Sequence, residues 1–244
     1  ESARAARHIL PLDGEHTQPA SIAPPSEKSA NAPLIEAKHL VFGYHTGIPI
    51  VQNLSLTIRR GEHTAIIGES GAGKTTLASL LLRLWEPDVG TISYDGVPHT
   101  KLSPDASRAY FGAALQGSWL FSASIRDNFL RLRGDIHETA IWHALETAQL
   151  ADVVRALPAG LDEPLGMNAS RLSGGQRSRL LTALALAGDA PILLLDEPTA
   201  GLDAACGTRL ITSVLADADA RGATLIVITH DLPLLNQMKQ VIKL

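Results

Sequence analysis

Cysteine is almost missing from this sequence: Cys206 stands alone. That excludes an internal disulfide framework and fits a reducing cytoplasm. Long apolar runs are missing too. The longest, residues 180–187 and 191–195, fall short of the ~20 residues that span a bilayer, so the sequence does not read as crossing a membrane. Neither sign of charge dominates, the net being −4; without a basic field, nucleic acid is excluded as the main partner. The sequence starts at Glu1 with neither a methionine nor a secretory signal, and reads as a piece of a larger protein. What is present is 244 residues of 45% hydrophobic content, enough for one sizeable α/β core with room for an inserted lobe.

Against that background one stretch stands out. Gly68-Glu69-Ser70-Gly71-Ala72-Gly73-Lys74-Thr75 follows the apolar run Ala65-Ile66-Ile67 and has the form G-x-x-x-x-G-K-T. It reads as a strand, a phosphate-binding loop and then a helix. Glycines let successive backbone N–H groups turn inward around an anion, and a helix starting near Gly73 adds the positive end of its dipole. Lys74 reaches the β- and γ-phosphates, and the Thr75 hydroxyl helps hold Mg²⁺. Thr76 and residues 77–82 continue the helix. A plain glycine-rich turn is the bland alternative, and the placement between strand and helix argues against it.

The flanking sequence supplies the rest in order. Residues 2–10 have helical composition and residues 11–33 are rich in Pro, Ala and Ser, which suits a linker behind the last helix of a preceding domain. Residues 34–42 and 53–58 are β-rich runs separated by Gly47 and Pro49, predicting a small antiparallel sheet. Tyr44 between them is either an exposed edge aromatic or a flat face offered to a nucleotide base. Residues 90–95 read as a strand, and residues 111–115 as a buried strand ending at Gln116, a polar side chain where ligands of open α/β sheets sit. Gln116 is thus a candidate for Mg²⁺ or the attacking water. Apolar residues at Ile141, Ala144, Leu145 and Ala148 predict an amphipathic helix within residues 135–150, and residues 151–157 extend this into an inserted helical lobe.

A second anion-type helix start follows at Leu172-Ser173-Gly174-Gly175-Gln176, ahead of a helix over residues 177–187. No second nucleotide motif accompanies it, so it needs a ligand from elsewhere. Ser173 offers a hydroxyl, and Gly175 offers room for close approach. The continuous apolar run from Pro191 to Leu195 fits the centre of a parallel sheet and ends in Asp196-Glu197. Asp196 is placed to hold Mg²⁺ through water, and Glu197 to orient and deprotonate the attacking water. After the turn at Ala200-Gly201-Leu202-Asp203 and a helix over 204–218, the buried run 224–228 ends at Thr229-His230. A lone histidine is usually a bland residue; alignment with the other strand ends favours a bond to a γ-phosphate. Trp85, Trp119 and Trp142 show no such alignment and are read as packing or surface residues.

Tyr44, Gly68 to Thr75, Gln116, Leu172 to Gln176, Leu193 to Glu197, Asp203 and His230, in this order, resemble the nucleotide-binding domain of ATP-binding cassette transporters over residues 34–244. The resemblance implies an α/β P-loop NTPase core with a mainly parallel sheet, an N-terminal antiparallel β subdomain, and a helical subdomain inserted at about 117–188. It implies an ATPase using ATP and Mg²⁺, with Lys74, Gln116, Glu197 and His230 catalytic and Thr75, Gln116 and Asp196 at the metal. Tyr44, Gly68, Glu69, Ser70, Gly71, Ala72, Gly73, Lys74, Thr75 and Thr76 hold the nucleotide in that picture. Asp203 also belongs to the nucleotide site, and the signature residues Ser173, Gly174, Gly175 and Gln176 serve the nucleotide of a second, facing domain, because the family sandwiches two ATP molecules between two such domains.

Phe121 to Asn128 is similar to exporters whose membrane and ATPase domains share one chain. That implies a transmembrane domain fused upstream of residue 1, residues 1–33 as its tail and linker, and a place at the cytoplasmic face of the inner membrane. The pattern is similar to exporters of the cysteine and glutathione type that assist cytochrome bd assembly. Two stretches depart from the usual exporter pattern: Gly166-Met167-Asn168 lacks the usual glutamate, and Thr229-His230-Asp231 is more like importer ATPases. A soluble importer ATPase would start near Leu34 without such a linker. Chromosome-maintenance and DNA-repair relatives need long coiled coils, for which the span from Lys74 to Ser173 has no room. An ATP-sensing module that no longer hydrolyses ATP is expected to lack Glu197 or His230, and both are present.

Overall fold

The computed structural model describes residues 33–45 and 47–244; the expected linker and helical tail before Pro33 lie outside them. Two strands come first, β1 (Pro33–Phe42) and β2 (Val51–Arg59), paired antiparallel. β3 (Thr64–Ile67) then runs into the glycine loop and α1 (Lys74–Leu81). The chain next returns to the first sheet. β4 (Val89–Tyr94) pairs antiparallel with β1, and β5 (Val97–Pro98) with β4, in the order β2-β1-β4-β5. No local pattern indicates that the strand after the loop helix belongs to this sheet, because the pairing joins residues 48 to 59 apart.

The second sheet is parallel throughout. After the short α2 (Pro104–Arg108) come β6 (Phe111–Ala114), β7 (Ile192–Asp196), β8 (Thr224–Ile228) and, last, β9 (Gln240–Lys243). Their order is β6-β7-β8-β3-β9, every pair parallel. All five residues of β7 and of β8 are buried, as a strand covered on both faces requires. Side-chain alternation divides them. Ile192, Leu194, Ile226 and Ile228 pack with α1 and the antiparallel sheet, whereas Leu193, Leu195, Leu225 and Val227 join a core built with the helices.

Between β6 and β7 lie α3 (Ile125–Arg133), α4 (Glu138–Thr147), α5 (Ala151–Arg155) and α6 (Gly174–Leu186). α6 packs on β6 and β7 as well as on α4, so it ties the lobe to the sheet. Its approach to β6 is close: a Cβ at Gly112 would strike the Ala185 carbonyl. α7 (Ala204–Arg221) links β7 to β8, and the one-turn α8 (Leu232–Leu235) precedes β9. Among the described residues no helix is long and apolar enough to cross a membrane. The carboxyl ends of β3, β6, β7 and β8 open on one edge, and the residues that follow them meet there.

Candidate functional site

Gly68, Ser70, Gly71 and Gly73 to Thr76 line a cleft of about 570 Å³ together with Gln116, Asp196, Glu197 and His230; Glu69 and Ala72, expected there, do not line it. The loop turns through left-handed backbone at Gly71 (φ 85°) and Gly73 (φ 94°), conformations that cost a residue with a Cβ. Gly73 is also crowded, since a Cβ there would lie 3.1 Å from Ile50 Cγ2. As the residue before α1, it brings no side chain to cap the helix, which leaves the first-turn N–H groups for an anion. Glu69, Ser70 and Gly71 are exposed and Ala72 half-buried; the Ala72 N–H donates to the Glu69 carbonyl at 3.1 Å. The Lys74 ammonium arches back over the loop, donating to the carbonyls of Gly68 at 2.9 Å and Glu69 at 2.8 Å.

Across the cleft, Thr75 Oγ1 donates to Asp196 Oδ2 at 3.0 Å. Burial at the end of β7 pushes the Asp196 carboxyl above its ordinary range, against the bonds from Thr75 and the Gln116 backbone. A cation would relieve that cost, and a hydroxyl beside a carboxylate is the hard-oxygen donor set that Mg²⁺ takes. Among the described residues no group of three or more His, Cys, Asp or Glu could hold a metal; Mg²⁺ held by two protein oxygens, phosphates and water needs none. Glu197 sits at φ 52°, its N–H donating to the Ile228 carbonyl at 2.9 Å. Its Oε1 lies 2.8 Å from His230 Nδ1. That bond raises the His230 pKa above the ordinary imidazole value and, with the carboxylate ionised, puts the hydrogen on Nδ1.

The structure does not bring every expected residue into this cleft. Tyr44 sits at its margin, with its hydroxyl 3.3 Å from Thr76 Oγ1. Asp203 caps α7, accepting from the Cys206 N–H at 2.8 Å. Ser173 caps α6 in a reciprocal pair: its hydroxyl accepts from the Gln176 N–H at 3.2 Å, and Gln176 Oε1 accepts from the Ser173 N–H at 2.9 Å. The expected role of Gly175 changes. It is buried, and a Cβ there would lie 2.7 Å from Leu202 Cδ2 and 2.9 Å from the Gly201 carbonyl, so its smallness serves packing within the chain. Gly174 is the exposed glycine, with nothing near its Cβ position; it lines an adjoining hollow of about 540 Å³ that shares Gln116, Asp196, Glu197 and Ala200 with the cleft. Sequence reasoning missed Ile50, which lines the nucleotide-sized cleft, and Ala200, which lines both. Neither carries a local signal, since both enter through the path of the backbone.

The ABC transporter family model matches residues 51–200. The chain is 38% identical over 208 residues to the ATP-dependent lipid A-core flippase of Saccharophagus degradans, covering 84% of this chain and 35% of that protein. It is 37% identical over 206 residues to the mycobactin import ATP-binding/permease protein IrtA of Mycobacterium tuberculosis, covering 84% of this chain and 24% of that protein. Among solved structures, it is similar to a bacterial Atm1-family ABC exporter with ATP bound, at a TM-score of 0.82 and 33% identity, over 88% of this chain and 37% of that one. The chain thus spans about a quarter to a third of the length of these relatives. It belongs to the ABC transporter family, of which it is an ATP-binding ATPase domain.

Proposed function

We propose that this domain binds Mg·ATP along its own P-loop and hydrolyses it in a site completed by the signature helix of a second such domain. The observation that carries this is a separation. Ser173 and Gly174 are exposed at the start of α6, yet neither lines the cleft that holds Lys74, Thr75, Asp196, Glu197 and His230. One chain therefore carries both halves of an anion site in adjoining hollows that share Gln116, Asp196, Glu197 and Ala200, and a facing copy or homologous domain would bring a P-loop to one chain's Ser173 and Gly174. Within the cleft, Lys74 leaves its loop carbonyls for the β- and γ-phosphates, and the amides of the loop hold the remaining oxygens. Thr75 and Asp196 are the residues that would hold Mg²⁺, with Gln116 beside them; the ion neutralises charge on the transferring phosphate. Glu197 accepts a proton from the attacking water, and His230, fixed by its bond to Glu197, meets the γ-phosphate.

Hydrolysis here is read as powering export by a membrane domain joined upstream of residue 1, at the cytoplasmic face of the inner membrane. Three things support this reading: the large share of the relatives' length outside the match, the exporter and permease among their names, and exposed apolar side chains beside Gln116. Trp119 is 79%, Phe121 51% and Met167 82% exposed, on segments joined by the bond from the Leu165 N–H to the Ala123 carbonyl. Such residues mark a contact surface. Import is the second reading, favoured by Thr229-His230-Asp231 and by the importer among the relatives.

Glu197→Gln tests the enzymatic core. The variant keeps the shape but cannot take the proton, so phosphate release falls by ~10² to 10⁴, ATP still binds, and sedimentation velocity shows an ATP-dependent dimer. Near-normal phosphate release would remove Glu197 from this role.

A further inference from the structure

Tyr44 lies just beyond β1 and is 41% exposed, and two aromatic neighbours fix its ring. Its centroid is 5.1 Å from that of Phe42 at an interplanar angle of 85°, and 5.3 Å from that of Trp85 at 81°. Phe42 and Trp85 in turn lie 5.9 Å apart, so the three rings close a triangle. Near-perpendicular contacts at these distances are the favoured edge-to-face geometry. A third point of attachment is the Tyr44 hydroxyl on Thr76, in the helix that carries Lys74.

Phe42 is buried in the antiparallel sheet, but Trp85 belongs to the turn after α1, and that turn is braced on both sides. Before Trp85, the Leu84 N–H donates to the Ser79 carbonyl at 2.9 Å. Directly after it, Glu86 accepts from Arg83 Nε at 2.7 Å and lies 2.7 Å from His99 Nε2. Further on, the Asp88 N–H donates to the Val41 carbonyl at 2.9 Å, while the Asp88 carboxylate accepts from the Gly43 N–H at 3.2 Å. The turn is thus pinned to the backbone immediately before Tyr44. That bracing holds the indole against the rings of Tyr44 and Phe42.

We propose that Trp85 is a positioning residue for the nucleotide base: it fixes the height and tilt of the Tyr44 ring relative to α1, so that a purine meets a stacking face already oriented. This rests on the reading of Tyr44 as the base platform. An unbraced ring would give up rotamer freedom on binding, and a braced one has already done so.

The test compares binding of ATP with binding of inorganic triphosphate, which meets the P-loop but has no base. Trp85→Leu should weaken ATP about 2- to 10-fold, the worth of one aromatic pair, and leave triphosphate unchanged. Trp85→Phe should restore most of the loss. Tyr44→Ala should weaken ATP about 5- to 150-fold, and adding Trp85→Leu to it should cost nothing more, since the two act through one contact. Unchanged ATP binding in Tyr44→Ala would sink the platform reading itself. A loss in Tyr44→Ala with none in Trp85→Leu would overturn only the role of Trp85, as would a loss of ATP and triphosphate alike in Trp85→Leu. Should Trp85→Leu fail to fold, the Trp119→Phe/Trp142→Phe chain leaves Trp85 as its sole indole. Its fluorescence should respond to ATP and not to triphosphate; the same response to both, or none, would overturn the proposal.

Discussion

Two helices of this chain start with N–H groups suited to an anion, and they treat those groups in opposite ways. α1 begins at Gly73, in left-handed backbone and with no side chain to cap it. α6 begins at Ser173, whose hydroxyl accepts from Gln176 while Gln176 answers at the Ser173 N–H. Four N–H groups at any helix start lack an intrahelical partner; the first helix leaves all of them to the loop's ligand, whereas the second satisfies two by itself, those of Ser173 and Gln176. The difference separates a helix start that is wholly open to a ligand from one that is half closed by its own side chains. The expectation that α6 takes an outside ligand thus rests on the N–H groups of Gly174 and Gly175, which the capping pair leaves open. What marks it as a partner surface is the exposure of Ser173 and Gly174 beside a buried, tightly packed Gly175.

Substitutions at the two starts sharpen this contrast. The largest effect is expected for Gly73→Ala, where a Cβ meets both positive φ and the Ile50 side chain. The backbone conformation alone costs about 1–2 kcal/mol, and crowding adds to it, so urea unfolding should show the loss along with weaker triphosphate binding. Wild-type stability would mean the loop relaxes freely. Ser173→Ala comes next. Loss of a cap costs about 1 kcal/mol, and the same loss should appear with and without ATP at concentrations where the chain is monomeric. A nucleotide-dependent loss in the monomer would place Ser173 in its own chain's site. Smallest is Gly174→Ala, which has open space and should leave the monomer as stable or stabilise it by about 0.4–1 kcal/mol, while ATPase activity falls because the added methyl faces the partner. Full activity would remove this surface from the site.

How much of this was legible beforehand follows the same divide between local and distant causes. The P-loop, Asp196-Glu197 and His230 were legible because each ends a buried run, and strand ends of a parallel sheet converge on one edge. The return of β4 to β1 was not, since pairing across the P-loop helix leaves no trace in either strand. α3 was passed over although Ser124 and Asp127 form a capping box at its start; only Ile125, Asn128 and Phe129 of it are buried, too few for a clear helical period. β9 is four residues of alternating burial, below what alternation can signal. Trp85 reads as a packing or surface residue and does pack, but its contact with Tyr44 leaves no local signal, since the two lie on opposite sides of the P-loop in sequence.

The central claim is that each active site takes its P-loop from one chain and its signature helix from another. Lys74→Ala disables the first and Ser173→Arg blocks the second, so each variant alone should be nearly inactive. In a mixture, some dimers pair one chain of each kind, and one of their two sites then has an intact Lys74 and an intact Ser173. Phosphate release from the mixture should recover part of the wild-type rate, and the wild-type rate should rise more steeply than linearly with protein concentration. If mixing restores nothing while the unmodified chain hydrolyses ATP in strict proportion to its concentration, each site works within a single chain and the account is wrong.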